Sequence, residues 1–405
     1  MDRFTPPTGH APTLAACFLH FDVCFMLWVL VGALGIFVAE SAHLNAAQKG
    51  LVVAVPILAG SVLRLPLGIL SDRIGGKRVG VGLLAFLVIP LTLGWQGGDS
   101  IATVFALGAM LGVSGASFAV VLPLASRWYP ADRQGLVMGI AAAGNSGTVI
   151  ANVFAPRLAS RVGWHGVFGW SLLPLTIVLV AFALLARESP ARAMRSMATD
   201  LRVLKQADTW WFCLFYAITF GGYVGLSGFL PLFLRDHFHV TAVNAGSLTA
   251  LAALVGSGTR PIGGYLADRV GGARLLRILL LGVAVTYAAA ASLPELNGMV
   301  LLLVAGMACL GMGNGAVFQL VPQRFQAEIG IATGIIGAVG GVGGFLLPTL
   351  LGSMKQATGS FGPGFAVMAI AACGALLLLQ SLVAFRSPWR SSWRLSGVPQ
   401  PVGEL

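Results

Sequence analysis

Acidic side chains are scarce in this sequence. Its 405 residues include fourteen Asp and Glu against twenty-five Lys and Arg, and charged residues of both signs make up only 10% of the chain. Soluble chains carry about 25%. With 57% hydrophobic residues, a water-soluble fold of this length is excluded. Cysteine is sparse too. Cys17, Cys24, Cys213, Cys309 and Cys373 all lie in apolar runs without CxxC spacing, so neither a disulfide nor a metal site is expected, and no cofactor. The histidines show no ligand spacing; His237 and His239 flank a loop position beside Asp236. No Ser/His/Asp arrangement is present near the apolar runs, which argues against an enzyme. A membrane sensor would be expected to carry a signalling domain, and only residues 386–405 follow the last apolar run.

What the chain has in abundance is long apolar runs. Twelve of about 20 residues recur along it, each long enough to cross a bilayer. They include 101–127, 134–157 and 164–186, and the last ends near 385. A cleaved signal peptide is not expected, because the first run is long and lacks a small-residue cleavage site. With both termini on the cytoplasmic side, that side collects eighteen of the twenty-five Lys and Arg and the opposite side five. The basic excess therefore reads as topology rather than nucleic-acid binding. The expected fold class is an all-α polytopic membrane protein with twelve transmembrane helices in two pseudo-symmetric six-helix bundles and cytoplasmic termini. The first bundle spans 1–187, a polar interdomain loop 188–208, the second bundle 209–385 and a cytoplasmic tail 386–405.

The two remaining cations, Arg64 and Arg260, sit in the middle of apolar runs. A charge at mid-bilayer costs about 2.5–3.5 kcal/mol even on the lenient insertion scale, so such a residue marks a functional site by default. The two lie 196 residues apart, and so do Asp72-Arg73 and Asp268-Arg269, each eight residues further on. RLPLGILSDRIGGKR (64–78) aligns with RPIGGYLADRVGGAR (260–274) without a gap, and Gly144-Asn145-Ser146-Gly147 aligns at the same offset with Gly340-Gly341-Val342-Gly343. The chain is a duplication, and its arginine pair suggests a pseudo-symmetric anion site at the repeat interface. Gly68 and Gly264 are expected to let another helix approach, and Gly75-Gly76 and Gly271-Gly272 to make tight turns. Asp72, Arg73, Asp268 and Arg269 are expected to form contacts that break as the halves rock. A loop that merely sets topology is the alternative.

This loop, present twice, resembles the signature of the major facilitator superfamily over all twelve helices. Four further segments narrow the resemblance. They are the glycine runs around Gly144 and Gly147 in helix 5 and Gly340 to Gly344 in helix 11, Gly311-Met-Gly-Asn314-Gly-Ala-Val-Phe318-Gln319 in helix 10, and Phe215-Tyr216-Ala-Ile-Thr-Phe220 in helix 7. With the arginines, they look like the nitrate/nitrite porter family.

The resemblance implies secondary transport of nitrate and nitrite across a bacterial inner membrane by a monomer, with small carboxylates such as formate or oxalate as the nearest rival cargo. It implies that Arg64 and Arg260 clamp the anion, that Asn145 donates a hydrogen bond, and that Tyr216, Phe118 and Phe220 line the site. Asn314 and Phe318 either line it or pack in the core. Gly144, Gly147, Gly340, Gly341, Gly343 and Gly344 either pack helices alone or also serve gating. Trp28, Tyr223 and Gln319 read as cavity wall rather than ligands. A guanidinium matches a planar oxyanion with a fork of donors.

Only Asp22 among the acids lies well inside an apolar run, and His20 is two residues away. His20 stands 196 residues before Tyr216 and is expected to face the cavity. Either residue could carry a proton, making the protein a proton–nitrate symporter. Alternatively Asp22 neutralises an arginine or ties helix 1 to a neighbour, and transport is nitrate/nitrite exchange. Residues two apart on a helix point to different faces, so both cannot face the cavity squarely.

Overall fold

The computed structural model describes residues 9–129, 134–189, 201–325 and 329–386. Among them there is no strand, and the helices number twelve when segments separated by a short kink or 3₁₀ turn are joined and the bend at Gly163 is taken as a boundary. α1 is Ala11–Trp28, continued by Leu30–Ala33 and Gly35–Ser41; α2 is Ala46–Ile74 and α3 Gly76–Gln96. α4 runs Ile101–Gly112, a 3₁₀ turn Val113–Ala116, then Ser117–Ser126. α5 begins at Gln134–Ala142, passes through a 3₁₀ turn Ala143–Ser146, and enters Gly147–Leu185. That last stretch bends at Gly163 (φ 75°, ψ 160°); α5 ends there and α6 follows. The second half contains α7 (Ala207–Phe238), α8 (Ala242–Val270), α9 (Gly272–Ala291), α10 (Leu296–Arg324), α11 (Ile329–Thr358) and α12 (Gly362–Phe385).

Among the described residues ten stretches are long and apolar enough to cross a membrane, Ile140–Leu185 counting as one. The bend at Gly163 makes it two crossings. α8, which carries Arg260, Asp268 and Arg269, supplies the twelfth. The expected loop between helices 5 and 6 is thus a single glycine hinge, because only glycine takes that positive φ without cost.

Local chemistry sets the helix ends. A capping box between Asn45 and Gln48 starts α2, and the Thr241 hydroxyl accepts from the Asn244 amide at the start of α8. Gly75 (φ 111°) and Gly271 (φ 91°) end α2 and α8 at repeat-equivalent places. At the first of these turns the Glu188 carboxylate accepts from the amides of Lys77 (3.3 Å) and Arg78 (3.1 Å), an anion at the N-terminus of α3. A 3₁₀ turn at Leu201–Lys205 lies in the expected interdomain loop. Arg3, Arg133, Glu328 and the expected tail beyond residue 386 lie outside the described residues.

α7 packs along α11, α8 along α10, and α12 against α9; in the first half α1 and α3 both pack on Gly147–Leu185. Between the halves α2 lies along α11, and α5 meets α8 where Pro156 abuts Gly246. Glycines allow these approaches. A Cβ on Gly343 would stand 2.7 Å from the Ala217 backbone, and one on Gly263 2.5 Å from Met312 Cα. Gly68 is in ordinary contact distance of Ala119. At Gly264 the structure differs from expectation: a Cβ there would meet nothing within 4 Å. The close approach of α8 to α10 falls instead on Gly263 and Gly315, one residue earlier on α8 and across on α10.

Candidate functional site

Arg64 is buried, 1% exposed, on α2 at the interface of the halves. Its Nε donates to the Gly115 carbonyl in the α4 turn at 3.0 Å, and its Nη1 donates to the Gly337 carbonyl on α11. Its Nη2 is buried with no partner. The guanidinium lies 5.2 Å from the Trp28 ring, 5.3 Å from Phe118 and 5.1 Å from Phe220. Such contacts favour a cation, but they do not cancel its charge.

Arg260 is half-buried on α8, 5.9 Å from the Phe318 ring. The two guanidinium groups are close enough to repel each other. Tyr216 is buried within electrostatic reach of both. Its ring stacks on Phe220 (4.9 Å, 3°) and meets Phe318 edge-on (4.8 Å, 84°). Phe118 and Phe318 approach across the halves at 6.1 Å. None of the ion pairs among the described residues uses Arg64 or Arg260. The centre of the bundle therefore holds two cations, no counter-ion, aromatic walls and at least one unspent donor.

The structure brings Arg64, Arg260, Tyr216, Phe118, Phe220 and Phe318 together. Asn145 is buried in the 3₁₀ turn of α5, which packs on α1 and on α8, the helix of Arg260. Asn314 is buried on α10 with its Oδ1 unpartnered. Trp28, read from sequence as wall, is one of the three rings on Arg64, fixed by its Nε1 donating to Pro56 O at 2.8 Å. The carbonyls of Gly115 and Gly337 were not legible as partners, since a backbone acceptor leaves no residue signature. They also constrain the expected fork: with Nε and one Nη1 proton engaged, Arg64 keeps the second Nη1 proton and both Nη2 protons for a ligand.

His20 does not face the space between the halves, contrary to expectation. It is fully buried inside the first half, with Nδ1 2.8 Å from Ser117 Oγ and Nε2 3.2 Å from Gly80 O. The reason lies in its neighbours. The positions equivalent to Ser117 and Gly80 are Gly313 and Leu276, so Tyr216 finds neither hydroxyl nor room on that side and turns to the centre. Asp22 accepts from Ser146 Oγ at 2.6 Å; among the described residues it pairs with no arginine.

The repeated loops also differ. Asp72 pairs with Arg127 (2.6 Å), whereas Asp268 forms no ion pair among the described residues, and Arg269 lies over Tyr265 at 4.4 Å. At the end of the bundle away from these loops, two ion pairs join the halves: Lys49–Asp236 at 2.7 Å and Arg235–Glu40 at 3.3 Å. They border a cavity of about 570 Å³ that also exposes His43 and His239.

Two repeats enclosing an uncompensated cationic centre form a secondary membrane transporter, not an enzyme. Residues 16–348 match the family model of the Major Facilitator Superfamily. The chain is 34% identical over 357 residues to a nitrite extrusion protein of Bacillus subtilis (strain 168), covering 88% of this chain and 90% of that one. It is 32% identical to a probable nitrate transporter, NarT, of Staphylococcus carnosus (strain TM300), covering 88% and 92%. With a probable nitrate/nitrite antiporter, NarK1, of Thermus thermophilus it shares 31%, over 84% of each. Among solved structures, a bacterial homologue of the human lysosomal transporter Spinster, inward-facing and unoccupied, superposes with a TM-score of 0.67 at 17% identity, over 95% of this chain and 97% of that one. The chain belongs to the nitrate/nitrite porter family of the major facilitator superfamily.

Proposed function

We propose that this protein exchanges nitrate and nitrite across the cytoplasmic membrane by alternating access, each chain acting as a monomer with its termini in the cytoplasm. The observation that carries the reading is the buried, unpartnered Nη2 of Arg64 beside Arg260, with neither arginine in an ion pair among the described residues. An isolated buried charge is costly, and a small monoanion offsets two such charges while accepting the free donor. Aromatic faces above and below suit a planar ion over a tetrahedral one. The names carried by the relatives point to the same cargo. Exchange follows from the same charges, because the empty carrier would have to turn over with both cations bare.

Proton-driven symport is the second reading, favoured by Asp22 as an acid inside a membrane helix. Uptake into proteoliposomes separates the two. Nitrate entry only into nitrite-loaded vesicles, indifferent to a pH gradient, is the expected result. Entry into empty vesicles driven by an inward proton gradient would replace exchange with symport. Stronger competition by formate or oxalate than by nitrite would move the cargo to small carboxylates.

A further inference from the structure

α4 and α5 are broken by 3₁₀ turns at Val113–Ala116 and Ala143–Ser146, whereas α10 and α11 run without interruption through the equivalent positions 309–312 and 339–342. Each turn carries part of the anion site. The first supplies the Gly115 carbonyl that holds Arg64, with Phe118 two residues beyond its end. The second contains Asn145. A 3₁₀ turn inside a helix gives up regular hydrogen bonding and needs outside support.

That support comes from two side chains of α1. His20 reaches Ser117, the residue directly after the first turn, and its other ring nitrogen is tied to Gly80 of α3. Asp22 reaches Ser146, the last residue of the second turn. The neighbouring glycines let α1 come close: a Cβ on Gly144 would stand 2.8 Å from Phe18 O and 2.9 Å from the Asp22 amide. The second half supplies a natural contrast. Where the first half has Asp22 and Ser146, the second has Ile218 and Val342, and where it has Ser117 it has Gly313. The polar partners are missing together, from the half whose helices are unbroken.

We infer that His20 and Asp22 are positioning residues, each anchoring one of the two broken helices so that the Gly115 carbonyl and Asn145 are held in register with the arginines. Their spacing of two residues, which cannot serve one cavity, serves two different helices. The inference rests on the proposed anion site but concerns the shape of its frame rather than the identity of its cargo.

The test uses the full chain in proteoliposomes, with nitrate uptake against internal nitrite measured over a range of concentrations and pH. Asp22→Ala and Ser146→Ala each raise KM about tenfold with a smaller change in kcat, and the double variant is no worse than either single one. Asp22→Asn, which keeps the accepting oxygen, rescues most of the affinity, and none of these variants displaces the pH profile. A displaced pH profile or full loss of uptake in Asp22→Asn overturns the inference in favour of a proton carrier. Multiplying effects of Asp22→Ala and Ser146→Ala overturn it as well. For the first turn, His20→Ala and Ser117→Ala raise KM without adding to each other; independent effects overturn that arm. If the wild-type protein moved neither nitrate nor nitrite, the cargo would be wrong while the anchor stayed testable. Amide hydrogen exchange in 143–147 is then expected to quicken in Asp22→Ala, and unchanged exchange rejects the anchor.

Discussion

The guanidinium of Arg64, from the first half of the chain, donates to the carbonyl of Gly337 in the second. A cation proposed to hold the anion is thus also a bond between the two halves. Lysine in its place keeps a charge but cannot reach Gly115, Gly337 and an anion together. Charge-assisted hydrogen bonds are worth about 1.5–3 kcal/mol each. Arg64→Lys is therefore expected to cut kcat/KM for nitrate by about a hundredfold or more, and Arg260→Lys similarly. Activity within about threefold of wild type, measured by initial uptake rates, would refute the assignment.

Adjacent glycines on α8 should respond in opposite ways. Gly263→Ala drives a methyl into the Met312 backbone, and overpacking of this kind costs about 1–3 kcal/mol. Gly264→Ala points into open space and should leave stability within about 0.5 kcal/mol of wild type. Thermal unfolding of the purified variants in detergent compares them directly.

Asp72 and Asp268 are equivalent in sequence but not in contact. Asp72→Asn removes the pair with Arg127, which is partly exposed and worth about 0–1 kcal/mol. Turnover should fall by roughly two- to fivefold with KM little changed, as such an energy allows. Asp268→Asn, which breaks no ion pair among the described residues, should have the smaller effect. A dominant change in KM in either variant would mean that the loop acts on binding.

The pair Lys49–Asp236 ties α2 to α7 at the end of the bundle away from the repeated loops. Lys49→Ala is expected to loosen that end. A cysteine placed at Ala39, which borders the cavity there, should then react several-fold faster with a membrane-impermeant maleimide. The charge-swapped variant Lys49→Asp with Asp236→Lys should return the rate toward the starting value.

Asp99 lies in the connection between α3 and α4, outside the membrane helices. Its carboxylate accepts from Ser41 and from His165 Nε2 (3.1 Å). These donors, Ser41 first, hold its pKa below the ordinary 3.8. The charged form is favoured by folding, so its stabilising contribution is complete above the ordinary value and is lost as pH falls through the lower folded one. The acid limb of Tm against pH, from about pH 5 to pH 3, should be flatter in Asp99→Asn than in wild type.

Much of the architecture was written in the sequence because duplication writes it twice. The common offset of 196 residues places Arg64 and Arg260 at equivalent positions of the two halves. The stacked aromatics followed from residue type and register. Symmetry also misled. It paired His20 with Tyr216 and so sent the imidazole to the centre, whereas Ser117 and Gly80 draw it into the first half. It likewise made Gly264 a contact because Gly68 is one. Side-chain direction depends on which neighbours leave room, and those neighbours have diverged between the halves. Backbone partners such as Gly115 O and Gly337 O, and the hinge that replaces a loop at Gly163, leave little compositional trace.

The uneven construction of the halves bears on how each wall of the site holds its shape. In the first half α4 and α5 are each broken by a 3₁₀ turn, whereas α10 and α11 run unbroken through the equivalent positions. Repeats of this kind stand side by side across a bilayer, so the difference separates one lateral wall from the other rather than one compartment from the other. Losing a side-chain anchor should therefore quicken amide exchange at 113–116 or 143–146, while 309–312 and 339–342, which rely on their own helical hydrogen bonds, stay unchanged.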